Sequence, residues 1–130
     1  MTKGDKRVKR PLVLEGPTIK YKTACGSLYI TVNSGPDGVP KEVFGAFGKA
    51  GNCLHVCLGA LCKLASVALQ SGVSVDAVVD SFKDFQCQGS CWDEGIHILS
   101  CPNAIAQYLK EINERNKDRD TSVGTPQKVD

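Results

Sequence analysis

Ile19, Tyr21 and Thr23 alternate with Lys20 and Lys22, and Leu28, Ile30 and Val32 alternate with Tyr29, Thr31 and Asn33. A period of two is that of half-exposed strands. The turn formers Ser34-Gly35-Pro36-Asp37-Gly38 follow,. Lys41 to Phe47 reads as a returning strand, with Val43 and Phe47 on one face and Phe44 and Ala46 on the other. A hairpin spanning about 26–48 accounts for this stretch,.

From Asn52 the period becomes helical. Leu54, Leu58, Leu61, Ala65 and Ala68 recur on one face, with Asn52 placed to cap the start and Gly72 to end the helix,. Ser74 caps a second, shorter helix striped by Val75, Val78, Val79 and Phe82. Residues 84–98 hold Gly89 and Gly95 and show no clear period, which predicts a loop with a short extended piece at 96–99. Ser100 caps a third helix with Pro102 in its first turn and Ile105, Ala106 and Leu109 facing inward,. The expected fold is α+β: a small antiparallel sheet against three helices, at about 52–71, 74–84 and 101–113,.

Composition narrows the picture. A chain of 130 residues with 42% apolar residues suits one modest domain, and 6% aromatics leave its core to Leu, Val, Ile and Ala,. Such a core gains from a staple. Residues 1–15 read as a flexible basic arm, carrying Lys3, Lys6, Arg7, Lys9 and Arg10 against Asp5. Residues 16–113 form the domain, and 114–130 read as a disordered charged tail,. A net charge of +2 does not by itself imply nucleic acid, although the arm offers weak contact with phosphates,. No secretory signal opens the chain and no segment approaches bilayer-spanning length, so a cytoplasmic protein without membrane contact is expected,.

The seven cysteines carry the candidate chemistry, and an odd number does not suit a closed disulfide framework,. Cys25 precedes a strand, Cys53 opens the long helix, Cys87 follows the second helix, and Cys101 lies in the first turn of the third. Boundary positions let side chains from distant segments converge. At the two helix N-termini the backbone dipole favours thiolate, the metal-binding form. Four such sulfurs suit tetrahedral, structural zinc, whose binding energy becomes folding energy.

Cys57 and Cys62 lie within the long helix, where a core role is expected,. Cys57 stands one turn after Cys53, and Cys91 four residues after Cys87, so each is also a candidate alternative ligand or redox partner,. There is no Cys-x-x-Cys knuckle, and three readings stay open: a four-cysteine metal site, buried free thiols, or disulfide exchange within 53/57 or 87/91. His55 and His97 read as structural or surface residues, and neither a Ser/His/Asp set nor a Gly-rich phosphate loop is present,.

The runs Thr23-Ala24-Cys25-Gly26-Ser27-Leu28-Tyr29-Ile30-Thr31-Val32-Asn33, Glu42-Val43-Phe44, Gly48-Lys49-Ala50-Gly51-Asn52-Cys53, Ala65–Gly72 and Leu99-Ser100-Cys101-Pro102-Asn103-Ala104-Ile105-Ala106 occur in order over about residues 18–110. Together they resemble the TSCPD domain, the C-terminal cysteine-rich region of adenosylcobalamin-dependent (class II) ribonucleotide reductases. The resemblance implies Cys25, Cys53, Cys87 and Cys101 as the recurring cysteines. It does not extend to Cys57, Cys62 or Cys91. The signature's first Thr is Leu99 here and its Asp is Asn103, which fits a structural motif better than an acid catalyst.

The resemblance implies an accessory or C-terminal reductase domain supporting deoxyribonucleotide synthesis. The radical barrel and adenosylcobalamin would belong to a separate catalytic subunit, and no independent catalysis is expected. The alternatives are a zinc-binding interaction module, with nucleic acid as one partner, and a thiol redox protein.

Overall fold

The structure, a computed structural model, describes residues 14–48 and 52–121, without the side chains of residues 52 and 119–121. The alternating segments form three strands, β1 (Thr18–Thr23), β2 (Gly26–Ser34) and β3 (Pro40–Phe47), in an antiparallel sheet of order β1-β2-β3. Register places Tyr21 beside Leu28 and Leu28 beside Phe47, while Val32 faces Val43. Leu28, Ile30, Val32 and Val43 are fully buried on this inner face. A one-residue slip would turn them all to solvent, so burial fixes the pairing.

Helix α1 (Asn52–Gln70) runs back along β3. Ser66 Oγ accepts from the Val43 amide at 2.9 Å, and Gln70 Nε2 donates to the Lys41 carbonyl at 3.2 Å. Gly45 permits the approach: a Cβ there would stand 3.0 Å from Cys62 Sγ. Gly72, at φ 95°, ends α1 through bonds from its own amide to the Leu69 carbonyl and from the Val73 amide to the Ala68 carbonyl,. Any N-capping contact of the Asn52 side chain lies outside the described atoms.

Helix α2 (Val75–Phe82) is capped by Ser74, whose Oγ accepts from the Ala77 amide, and it packs on α3 (Cys101–Thr121) through Val75, Val78 and Val79. Ile105, Leu109 and Tyr108 of α3 are buried, and the Tyr108 ring meets Tyr21 edge-on at 6.4 Å. Helix α3 extends eight residues past its expected end, so 114–121 are helical rather than a disordered tail. Polarity there serves helix contacts. Asn113 and Lys117 both reach the Asp76 carboxylate of α2, at 3.2 and 3.3 Å, and Arg115 pairs with Glu111 one turn back. Residues 1–13 and 122–130 fall outside the description, but Glu15, expected in the arm, bridges to Ser34.

The segment expected as a loop contains a hairpin: β4 (Cys91–Asp93) pairs with β5 (Ile96–Ile98). Glu94 and Gly95 take φ of 48° and 86°, the left-handed pair that closes a two-residue hairpin turn,. With three residues per strand, each element is too short to show a period.

Candidate metal centre

Three segments meet at the end of the sheet that carries the β1–β2 turn. Thr23 sets that turn. Its buried hydroxyl donates to the Gly26 carbonyl at 2.8 Å and accepts from the Cys25 amide at 3.2 Å. Gly26, at φ 128°, takes a conformation open chiefly to glycine,. Cys25 is left exposed at the tip.

Cys101 is placed by the cap of α3. Ser100 Oγ accepts from the Asn103 amide at 3.1 Å and donates to the Phe85 carbonyl. Asn103, buried, accepts from the Leu99 amide at 3.0 Å and from Gln107 at 2.7 Å, and donates to the Lys83 carbonyl at 2.7 Å. The segment after α2 is thereby tied to the start of α3. The Cys87 amide donates to the Leu99 carbonyl at 3.0 Å, setting Cys87 two residues from Cys101 across this junction. The following loop presses on the Cys25 turn, since a Cβ on Gly89 would stand 3.0 Å from Ala24 Cβ.

Cys25 and Cys87 each lie within electrostatic reach of Cys101. Burial pushes the Cys101 thiol up to about 11, and the neighbouring Cys25 and Cys87 add to the rise. The expectation that a helix N-terminus would favour thiolate at Cys101 is corrected here: its backbone hydrogen bond lowers the pKa, but desolvation outweighs it,. Among the described residues, no group of three or more His, Cys, Asp and Glu side chains is spaced to hold a metal ion. The three thiols thus share a neighbourhood without forming a coordination shell.

Cys53 is exposed on the first turn of α1. Its end of the helix faces the same end of the sheet. The Gly48 amide donates to the Ser27 carbonyl at 3.0 Å, and five residues beyond Gly48 can reach at most about 18 Å,. The other cysteines separate. Cys62 is buried under β3, and burial raises its thiol to about 11. Cys57, expected in the core, is exposed one turn after Cys53, because the buried face of α1 runs through Leu58, Cys62, Ala65 and Leu69 instead. Cys91 Sγ donates to the Lys22 carbonyl at 3.1 Å, while Cys87 Sγ faces the Gly89 carbonyl at 3.7 Å. His55 is exposed on α1, and the His97 ring stacks on Trp92 at 4.5 Å and meets Ser90 at 3.0 Å.

Sequence reasoning missed Thr23 and the hydrogen-bonding reach of Asn103. The signal for Thr23 was its place three residues before a glycine between two strands. Nothing in the sequence pattern marks the Lys83 carbonyl as a partner of Asn103.

The model of the TSCPD domain matches residues 4–113. The chain belongs to the TSCPD domain family. The TSCPD domain is associated with ribonucleotide reductases. Neither the curated proteins nor the solved structures hold a significant match to the chain. The TSCPD match spans the three-stranded sheet, α1, α2, the β4–β5 hairpin and the first thirteen residues of α3.

Proposed function

We propose that this TSCPD domain acts as an accessory or C-terminal domain of a class II ribonucleotide reductase. In this reading it supports reduction of ribonucleotides by binding a separate catalytic subunit that carries the cobalamin. The observation behind this reading is a family domain whose described strands form only sheets of three and two, far from a catalytic barrel.

In the same proposal, Cys25, Cys87 and Cys101, with Cys53 as the fourth sulfur, hold one structural zinc ion. The donor set supports this: Cys25 and Cys87, from two other segments, both lie within electrostatic reach of Cys101, and Cys53 begins a helix at the same end of the sheet. Bound zinc would supply a redox-inert crosslink between these segments. Because the Cys101 thiol holds its proton to about pH 11, it would release that proton on binding,.

Helix α1 supplies the surface for the catalytic subunit. Its stretch from Cys53 to Gln70 reaches the length and apolarity of a membrane-crossing helix, contrary to the expectation that no segment would. One face, Leu58, Cys62, Ala65 and Leu69, packs on the sheet, yet only 22% of the stretch is buried. The opposite face presents Cys53, Val56, Cys57, Ala60 and Leu64, with Lys63 its one exposed charge. A helix apolar on both faces needs cover on both. The test is co-purification with a class II catalytic subunit and assay of its turnover. Retention and altered turnover, both lost in Val56→Glu/Leu64→Glu, are expected. No retention together with unchanged turnover contradicts the proposal.

A further inference from the structure

Strand β3 is an edge of its sheet, and side chains of α1 cap that edge along only part of its length. In antiparallel pairing, residues bonded to the neighbouring strand alternate with residues whose amide and carbonyl point away from it. Val43 is of the second kind. Its amide donates to Ser66 Oγ at 2.9 Å, and its carbonyl accepts from the same hydroxyl at 3.2 Å. The Lys41 carbonyl, two residues earlier, accepts from Gln70. Gly45, two residues later, turns its amide and carbonyl the same way as Val43,. The row that supplies the caps, Gln70 and Ser66, continues along α1 to Cys62 and Gly59,. Gly59 has no side chain to offer, and the Cys62 sulfur packs on the Cα of Gly45 instead, 3.0 Å from where a Cβ would stand. Among the described residues, no group outside the strands bonds the Gly45 amide or carbonyl.

A groove of about 320 Å³ opens here between β3 and α1, lined by Phe44 and Gly45 on one side and by Gly59, Cys62 and Lys63 on the other. Glu42, also in its lining, is buried and accepts from Asn33. Lys63 is exposed and joins no ion pair among the described residues. An amide and a carbonyl of one edge residue are met together by the carbonyl and amide of one residue of an added antiparallel strand. The side chain of that residue lies on the α1 side of the sheet, where the absence of side chains at Gly45 and Gly59 leaves room for an aliphatic group,. The Lys63 ammonium complements a carboxylate next to it.

We infer that the groove between β3 and α1 binds an extended acidic segment of a partner protein, which joins the sheet as a short antiparallel strand opposite Gly45. An aliphatic residue of the segment exchanges both main-chain bonds with Gly45 and packs against Gly59, while a neighbouring carboxylate pairs with Lys63. The groove contains none of Cys25, Cys53, Cys87 and Cys101. The inference therefore stands independently of the reductase proposal and of any metal.

The experiment titrates the isotope-labelled full chain with the peptide acetyl-Glu-Val-Glu-Val-Glu-amide and follows the backbone amides by NMR. Saturable shifts at Gly45, Gly59 and Lys63 are expected, with slower hydrogen exchange of the Gly45 amide. The same peptide N-methylated at both valines keeps its side chains but has no donor for the Gly45 carbonyl, and it should bind at least about tenfold more weakly. Gly59→Phe should abolish binding without lowering the thermal melt, because a side chain there enters open space in the free protein. Lys63→Gln should weaken binding by about threefold and remove most of its salt dependence. Any of three results overturns the inference: no shift at Gly45 with millimolar peptide, an N-methylated peptide that binds as tightly as the parent peptide, or a folded Gly59→Phe variant that binds as the parent protein does.

Discussion

Asn103 donates its side-chain amide to the backbone carbonyl of Lys83, 2.7 Å away across the junction between α2 and α3. Its oxygen accepts from the Leu99 amide and from Gln107. One buried side chain thus fixes both the approach to Cys101 and the chain leading to Cys87. A carboxylate could accept the same two bonds, but it would set an anion against the Lys83 carbonyl.

Asn103→Asp is therefore expected to destabilise the domain by about 2 kcal/mol, the cost of a buried acceptor facing an acceptor. Urea denaturation at neutral pH measures it. Unchanged stability would show that the amide nitrogen contributes nothing at this junction.

Cys101→Ser is expected to lower the melting temperature of zinc-loaded protein more than Cys62→Ser does. Cys101 adjoins two other thiols, whereas Cys62 is an isolated thiol under β3. A chelator should remove most of the difference between Cys101→Ser and the parent, and should leave the effect of Cys62→Ser in place. Equal losses in both variants, with and without chelator, would contradict the assignment.

Gly45→Ala places a methyl group 3.0 Å from Cys62 Sγ and 3.3 Å from Leu58. A loss of about 1–2 kcal/mol is expected from overpacking. Adding Cys62→Ala should recover part of it, so a double-mutant cycle by urea denaturation should show coupling of at least about 0.5 kcal/mol.

Metal-free protein should lose stability in alkali. Burial raises Cys62 from 9.0 to about 11 and Tyr21 from 10.0 to about 12. The folded state therefore holds protons that the unfolded chain has released. The contribution of Cys62 is complete below pH 9 and falls as the pH rises through about 11, with that of Tyr21 falling about one unit higher,. Urea midpoints across this range should decline, and less steeply in Cys62→Ala.

The three-stranded sheet and the helix starts were legible because long segments repeat their burial. Val43 and Phe47 alternate with exposed Phe44, and Val75, Val78 and Val79 stripe α2. The β4–β5 hairpin was not, because three residues per strand carry no period and its turn uses Glu94-Gly95, a weak signal beside Asn-Gly,. The far end of α3 was missed because its partners are polar. Asp76 receives both Asn113 and Lys117, a relationship that no hydrophobic pattern records. Within the candidate site, sequence reasoning named Cys25, Cys53, Cys87 and Cys101, of which Cys25 and Cys87 lie within electrostatic reach of Cys101. It misjudged the ionisation of Cys101, because desolvation depends on neighbours contributed by distant segments. It also misplaced Cys57, since helix α1 is apolar all round and composition alone does not say which side faces the sheet.

Elemental analysis of the parent and Cys101→Ser proteins, purified without added metal, tests the account most directly. Close to one zinc per chain in the parent, with most of it lost on Cys101→Ser, is the expected result. A parent preparation free of metal, whose Cys25, Cys53, Cys87 and Cys101 react with a thiol reagent as readily before chelation as after, would contradict the proposed centre.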